Sequence, residues 1–168
     1  MKKVFIDGSA GTTGLRIYER LENRKDIELL KLSGENRKDK AARKEAINSA
    51  DIAFLCLPDD AARESVSLCE NENTVIIDTS TAHRTAEGWV YGFPELSPKR
   101  KVEIAASKRI AVPGCHASGF ISLVFPLTES GVLKKSALLS CFSVTGYSGG
   151  GKKMIAEYEG ENRDILLS

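Results

Sequence analysis

Residues 4–14 decide the fold of this chain, and they read Val-Phe-Ile-Asp-Gly-Ser-Ala-Gly-Thr-Thr-Gly. The apolar residues at 4–6 predict a short buried strand, and apolar residues at helical spacing over 15–21 predict a helix that follows it. Gly8, Gly11 and Gly14 lie between the two. A glycine-rich turn of this kind lets the backbone approach a pyrophosphate, whose charge the helix N-terminus stabilises. The stretch therefore predicts the start of a dinucleotide-binding βαβ unit, with an ordinary βα turn as the alternative.

Strand and helix signals continue to alternate beyond this stretch. Further strands are predicted at 27–32, 52–57, 75–78 and 109–112, and further helices at 39–48, on the surface, and at 61–70. The run at 52–57 is continuously apolar, as expected of a parallel strand that is buried on both faces. We expect Asp59 and Asp60 to cap the helix that follows it. Repeated βα units with short connections predict an α/β fold with a doubly wound, parallel, Rossmann-like sheet over residues 1–113.

The pattern changes after Gly114. A helix predicted over 116–130 leads into a β-rich run at 137–145 and then into a glycine-rich basic loop at 146–153. We therefore place a domain boundary here and assign residues 114–168 to the beginning of a second, α+β catalytic domain.

Composition excludes several classes of function. The chain has 168 residues, with 24 lysines and arginines against 23 aspartates and glutamates, so no basic excess indicates a nucleic-acid or membrane-surface partner. The four cysteines lack the C-x-x-C spacing of zinc and redox sites and the density of a disulfide scaffold. No apolar run approaches the ~20 residues that span a bilayer, and the N-terminus turns polar too early for a signal peptide. We expect a soluble, cytoplasmic protein without a metal site.

The residues after the second predicted strand indicate the type of nicotinamide cofactor. An NAD site usually places Asp or Glu there, whereas an NADP site needs a cation. Ser33 can bind a 2′-phosphate and Arg37 can neutralise it, which favours NADP. Two alternatives remain: Glu35 can serve NAD, and Arg37 and Lys38 can belong to a solvated loop. The expected cofactor-binding residues are Gly8, Ser9, Gly11, Thr12, Thr13, Gly14, Ser33, Arg37, Leu57 and Pro58.

Cys115 is the expected nucleophile. It follows a predicted strand and lies in the first turn of a predicted helix, where the helix dipole and free N–H groups favour a thiolate. A thiolate there can attack an acyl carbon while the same N–H groups hold the oxyanion. The other cysteines, at 56, 69 and 141, lie in predicted strands or a helix and are expected to be inert. For His116 a local role is favoured, because adjacent residues on a helix point in different directions.

Six motifs are distributed over nearly the whole chain, at residues 8–14, 57–60, 78–84, 91–96, 113–115 and 146–152. Taken together and in this order, they resemble the N-acetyl-γ-glutamyl-phosphate reductase family, especially its shorter type. One departure follows the cysteine, where that family commonly has an aromatic-proline pair and this chain has His116-Ala117.

The resemblance implies an activity and its site. It implies NADP-dependent reduction of N-acetyl-glutamyl 5-phosphate to the 5-semialdehyde in arginine biosynthesis, through a thioacyl intermediate on Cys115. The implied substrate-binding residues are Arg84, Ser148 and Gly149, although a structural ion pair is an equal interpretation of Arg84. It also implies a homo-oligomer formed through the second domain, and a catalytic histidine beyond Ser168. We therefore expect a chain truncated at its C-terminus that turns over slowly by itself.

Two other functions stay open on the sequence. Aspartate-semialdehyde dehydrogenase is similar in fold, cofactor and nucleophile, but that enzyme generally has Asn before the cysteine, where this chain has Gly114. A non-catalytic NADP-binding module is the other alternative. Structural roles are favoured for Asp78, Ser80 and His83, and Glu95 has either a structural or a substrate-positioning role.

Overall fold

The computed structural model describes residues 1–160. The chain divides into two compact units, Met1–Lys135 and Ser136–Ser168, the second of which is described as far as residue 160. The predicted domain boundary between residues 113 and 114 stays a prediction.

The first unit contains one parallel sheet. Its strands are β1 (Lys2–Asp7), β2 (Ile27–Leu30), β3 (Ile52–Leu55), β4 (Val75–Asp78), β5 (Val90–Tyr91) and β6 (Arg109–Ala111). Within the described residues they are ordered β2-β1-β3-β4-β6-β5, and every neighbouring pair is parallel. The predicted α/β class with a parallel, Rossmann-like sheet is confirmed.

Helices connect these strands. The first unit has α1 (Thr12–Leu21), α2 (Lys40–Ser49), α3 (Asp59–Leu68), α4 (Pro98–Ala106) and α5 (Cys115–Glu129), and α6 (Gly151–Glu159) belongs to the second unit. Short 3-10 turns cover Gly34–Arg37, Pro94–Leu96 and Tyr147–Gly150. No helix in the described range is long and apolar enough to cross a bilayer.

The core lies where α2 and α3 pack against the sheet. One cluster contains Phe5, Ile47 and Leu68, and a second contains Leu55, Ala62 and Ile76. In β3, Leu55 is fully buried whereas Phe54 is only half-buried. The predicted burial on both faces is therefore complete on one face of this strand and partial on the other.

Two predictions about secondary structure are wrong. Residues 137–146 form neither helix nor strand, because β-forming side chains hold a strand only where a neighbouring strand pairs with them, and no described strand does so here. The N-cap of α3 is Pro58, and Asp59 and Asp60 lie inside its first turn, where their charge still complements the helix dipole. The carboxylate of Asp59 instead accepts a hydrogen bond from the backbone N–H of Thr81 at 3.0 Å.

Candidate functional site

The sheet brings the predicted site segments to one edge. The last residues of four strands pair in a single row across the sheet, namely Asp7, Leu55, Asp78 and Ala111. Because the strands are parallel, the loops that follow these residues all leave from the same, carboxyl edge. The glycine loop, residues 56–58, the loop after β4 and the turn before Cys115 therefore start along one line.

A cavity of about 630 Å³ opens at the carboxyl end of β1. The residues that border it come from β1, the glycine loop, α1, β2, the following turn, α2, the loop after β3 and α3. They include Asp7, Gly8, Ser9, Arg37, Arg43 and Leu57. Four of the predicted cofactor-binding residues are in this set. The cavity therefore joins the glycine loop to the segment that was expected to select the cofactor.

The glycine loop has the geometry that a dinucleotide cradle needs. Gly8 has a φ of +83°, and a Cβ there would lie 2.2 Å from the carbonyl oxygen of Cys56. A Cβ on Gly14 would lie 2.4 Å from the carbonyl oxygen of Gly8, so this glycine allows α1 to pack directly on the loop. Gly11 is the N-cap of α1 and supplies no side-chain hydrogen bond. An anion can therefore approach the N–H groups of the first turn, and the residues fit a dinucleotide.

The other predicted cofactor residues surround this cradle without bordering the cavity. Thr12 and Thr13 are exposed in the first turn of α1, and Pro58 is exposed at the start of α3. Ser33 is exposed as the N-cap of a 3-10 turn and makes no capping hydrogen bond with its side chain.

The turn after β2 presents its cations to the cavity. Arg37 and Lys38 both border it, whereas Glu35, in the same turn, does not. The Nε of Arg37 donates to the carbonyl oxygen of Gly34 at 3.4 Å, and the side chain is exposed. This turn therefore offers positive charge to a ligand.

A buried ion network beneath the glycine loop was missed by the sequence analysis. The Nε of Arg43 donates to Oδ2 of Asp7 at 3.1 Å, and its other nitrogens donate to Oε2 of Glu64 at 2.9 Å and to Oγ of Ser65. The Ser65 hydroxyl also donates to Oδ2 of Asp7 at 2.7 Å. Asp7 is 3% exposed and Arg43 8% exposed.

The electrostatics of this network follow from burial and pairing. Burial opposes the charge of Arg43, but the carboxylates of Asp7 and Glu64 outweigh that penalty and raise the pKa of Arg43 above its usual range. The hydrogen bond from Arg43 in turn lowers the pKa of Glu64. A signal was available in the sequence, because Arg43 stands on the same helical face as Ala46, Ile47 and Ala50, which a purely surface helix would not require.

The loop after β4 is ordered by Asp78. Its buried carboxylate accepts hydrogen bonds from the backbone N–H of Ser80 at 3.0 Å and from the Ser80 hydroxyl at 2.7 Å. Nδ1 of His83 lies 2.6 Å from Oδ2 of Asp78, and the His83 ring stacks on Trp89 with centroids 4.1 Å apart. These contacts are the structural roles that were predicted for Asp78, Ser80 and His83.

Arg84 lies beside the turn that precedes Cys115. Nε of Arg84 donates to the carbonyl oxygen of Val112 at 3.0 Å, and Nη2 donates to that of Thr79 at 3.3 Å. A Cβ on Gly114 would lie 2.6 Å from Nη1 of Arg84, so the guanidinium fills the space beside the residue that precedes Cys115. These hydrogen bonds go to backbone carbonyls, so the ion pair considered for Arg84 is not what anchors it. Cys115 is exposed as the first residue of α5.

The remaining three cysteines differ in their burial and in their local structure. Burial raises the pKa of the Cys56 thiol to about 11. Cys69 is half-buried, and its Sγ donates to the carbonyl oxygen of Asn71 at 3.5 Å. Cys141 is exposed and lies outside any strand, so the reason given for its inertness is wrong.

The motif at 91–96 supports the turn before Cys115. The N–H of Gly92 donates to the carbonyl oxygen of Ala111 at 2.8 Å, and a Cβ there would lie 2.9 Å from Cγ2 of Ile110. Glycine is therefore needed for β5 to lie against β6, whereas Glu95 is exposed.

The predicted substrate loop belongs to the second unit. Gly149 lies in the 3-10 turn Tyr147–Gly150, and its N–H donates to the carbonyl oxygen of Gly146 at 2.9 Å. The predicted role of Ser148 rests on a side chain that lies outside the described residues. Across the described part of the chain, no group of His, Cys, Asp or Glu is arranged to hold a metal ion.

Comparisons with known proteins agree with this geometry. The family model described as semialdehyde dehydrogenase, NAD binding domain, matches residues 3–104. An N-acetyl-gamma-glutamyl-phosphate reductase of Chelativorans sp. strain BNC1 is 56% identical over 162 residues, which are 96% of this chain and 52% of the relative. One of Trichormus variabilis is 52% identical over 94% of this chain and 49% of its own length. The resemblance inferred from the motifs is confirmed, and the chain spans about half the length of these curated relatives.

Solved structures show the same fold. Aspartate semialdehyde dehydrogenase II of Vibrio cholerae, complexed with ASA, matches with a TM-score of 0.65 at 16% identity, over 99% of this chain and 53% of that one. The enzyme from Francisella tularensis matches with a TM-score of 0.63, also at 16% identity and over 99% and 53% of the two chains. At this level of identity the likeness concerns the fold alone.

Proposed function

Because this chain belongs to the semialdehyde dehydrogenase family, whose NAD binding domain it carries over residues 3–104, we propose that it binds NADP(H) and supplies the nucleophile of an acyl-phosphate reductase. The proposed substrate is N-acetyl-glutamyl 5-phosphate and the product its 5-semialdehyde, in cytoplasmic arginine biosynthesis. The name of the relatives supports this choice of substrate. A homo-oligomer formed through the second domain, residues 114–168, is part of the proposal.

The observation that carries the proposal is the position of Cys115. The thiol is exposed at the N-terminus of α5, and the Arg84 guanidinium is packed against Gly114 beside it. The turn leaves the same edge of the sheet as the glycine loop. A nucleophile, a cation and a cofactor cradle along one edge of a parallel sheet are what this chemistry requires.

In the proposed reaction, the Cys115 thiolate attacks the acyl carbon, the C–O bond to phosphate breaks, and a thioester forms as phosphate leaves. The N–H groups that begin α5 stabilise the oxyanion. Arg84 is held at two of its nitrogens by backbone carbonyls, so its remaining nitrogen can bind the phosphate without losing its orientation. Gly149 and Ser148 are proposed to contact the acyl chain. A nicotinamide held at the glycine loop would supply the hydride that reduces the thioester. The Cys115 thiolate is the group that leaves as the aldehyde forms, and it is thereby regenerated.

The turn after β2 supports the proposed type of cofactor. Arg37 and Lys38 border the cavity while Glu35 does not, which supports NADP over NAD. Gly8, Gly11 and Gly14 with Ser9, Thr12 and Thr13 would hold the diphosphate, and Ser33 with Arg37 the 2′-phosphate. Leu57 and Pro58 would cover the nicotinamide half.

Aspartate-semialdehyde dehydrogenase is less well supported as the activity. That enzyme is expected to have Asn at the position of Gly114, and here the Arg84 guanidinium occupies the space that a side chain at 114 would need.

Steady-state kinetics on both acyl phosphates test the proposal. The 168-residue chain is compared with a version joined to the second half of a reductase relative, since a proton-transfer group is expected there. We expect N-acetyl-glutamyl phosphate to be reduced and aspartyl phosphate not, with the short chain about 10²- to 10⁴-fold slower. Cys115→Ala should abolish turnover in the joined protein, whereas the matched control Cys141→Ala should retain it. Turnover by Cys115→Ala, or a preference for aspartyl phosphate, would contradict the proposal.

A further inference from the structure

The carboxylate of Asp7 lies where its negative charge would oppose the binding of a dinucleotide cofactor. It is the last residue of β1, directly before Gly8, and both residues border the cavity. A dinucleotide carries negative charge on its diphosphate, and a carboxylate in a poorly solvated wall repels such a ligand more strongly than one in water. An unpaired Asp7 would therefore oppose the ligand that the glycine loop is built to bind.

The structure supplies a buried counter-charge from two other elements. Arg43 comes from α2 and also borders the cavity, and its Nε donates to Oδ2 of Asp7 at 3.1 Å. Ser65 on α3 donates to the same oxygen at 2.7 Å, while Glu64 on α3 takes another nitrogen of Arg43. Groups from β1 and α3 thus hold the Arg43 guanidinium in its orientation against Asp7.

From this arrangement we infer that Arg43 masks the charge of Asp7 beneath the glycine loop, and so sets the affinity of the cavity for a dinucleotide. Arg43 is a positioning residue in this role, because it acts through Asp7. The inference rests on the proposed function, in which this cavity holds NADP(H). It adds a pair of residues from outside the glycine motif to the determinants of cofactor binding.

Charge masking and a purely structural ion pair predict different changes in dinucleotide affinity when the charge of Asp7 is removed. If Arg43 only holds the fold together, removing either partner should weaken the site. If it masks charge, removing Arg43 should weaken dinucleotide binding, whereas removing the charge of Asp7 should not. Removing both charges should restore binding, because neither an unpaired carboxylate nor an unpaired cation is then left between these two positions.

NADPH titration by fluorescence at pH 8 tests the inference on the 168-residue chain. We expect Arg43→Met to weaken NADPH binding roughly tenfold. Asp7→Asn should bind at least as tightly as the wild type, and the double variant should return to within about threefold of it. Lys44→Met is the matched control, because it removes a cation from the same helix whose partner is Glu70 instead of Asp7. Circular dichroism establishes that each variant is folded.

Unchanged binding by Arg43→Met, or a double variant as weak as that single variant, overturns the inference. Should Arg43→Met be too unstable to purify, Asp7→Asn decides alone: equal or tighter binding supports charge masking, and about tenfold weaker binding overturns it. A wild-type chain that binds neither NADPH nor NADH overturns both this inference and the proposed cofactor. A wild-type chain that binds, with variants that do not follow the pattern, overturns the inference only.

Discussion

Cys115 and Cys141 are both exposed, yet they lie in different electrostatic surroundings. Cys115 begins a helix of 15 residues, whereas Cys141 lies in a segment without helix or strand. Both thiols are exposed, but only Cys115 lies at a helix N-terminus. Cys141 therefore serves as an internal control for the effect of the helix on thiol reactivity.

We predict that brief iodoacetamide treatment near neutral pH alkylates Cys115 roughly tenfold faster than Cys141, because the helix N-terminus favours the thiolate. Only the thiolate reacts, and burial raises the pKa of Cys56 to about 11, so its labelling should rise only as the pH approaches that value. Peptide mapping by mass spectrometry measures all four rates. Equal labelling of Cys115 and Cys141 would remove the argument for activation by the helix.

Arg37 is the residue on which the proposed preference for NADP depends most directly. Its exposed side chain borders the cavity, and its recorded hydrogen bond is to the carbonyl oxygen of Gly34 at 3.4 Å, which leaves the guanidinium able to reach a phosphate.

We predict that Arg37→Ala weakens NADPH binding by about 10-fold or more and leaves NADH binding nearly unchanged, because only NADPH carries the 2′-phosphate. Parallel titrations with the two nucleotides measure this selectivity. Glu35→Gln is the control, since Glu35 lies in the same turn without bordering the cavity, and it should alter neither affinity greatly. A loss that is equal for both nucleotides would show that Arg37 does not read the 2′-phosphate.

At the scale of the elements, the approach of α1 to the end of β1 depends on Gly14. This glycine is buried in the helix, and a Cβ there would lie 2.4 Å from the backbone oxygen of Gly8, which cannot move aside as a side chain can. Gly119 is also helical, in α5, but a Cβ there meets nothing within 4 Å.

Gly14→Ala should therefore destabilise the protein by about 1–3 kcal/mol through overpacking and should weaken NADPH binding. Gly119→Ala should stabilise it by up to about 1 kcal/mol, because alanine is the better helix former and no contact opposes it. Urea unfolding and nucleotide titration of the two variants provide the comparison. A Gly14→Ala protein as stable as wild type would show that α1 can shift away from the loop at little cost.

At the scale of the whole molecule, α5 is an apolar helix that leaves one apolar face exposed. None of its residues is fully buried, and Phe120, Leu123 and Leu127 recur on one side at helical spacing. Leu123 is 73% exposed. Contiguous apolar surface of this kind favours association.

We predict that the 168-residue chain self-associates at micromolar concentration, and that a Leu123→Lys and Leu127→Lys double variant reduces this association. Sedimentation velocity over a concentration series measures the effect. The double variant should bind NADPH as the wild type does, because neither residue borders the cavity. Unaltered association would indicate that another surface is responsible, such as the exposed Leu138 and Phe142 of the second unit.

The sequence alone determined those features that depend on local periodicity and on special backbone conformations. Alternating apolar runs and helical stripes located most of the strands and helices within a few residues, because burial of one face imposes a period on the chain. The glycine loop was recognisable because a positive φ at Gly8 and a close contact at Gly14 exclude other residues. Cys115 could be predicted as a nucleophile because its place after a strand and at the start of a helix is visible in the sequence.

Only the tertiary structure decided which distant residues meet. Asp7 and Arg43 are 36 positions apart, and Arg84 and Val112 are 28 apart, so the order of the strands and not any local pattern brings them into contact. The β-rich composition of residues 137–145 did not produce a strand, since a strand exists only with a partner that pairs with it. A chain encodes its own periodicity residue by residue, whereas the partner of a buried charge or of a strand edge is fixed by the packing of elements that are remote in sequence.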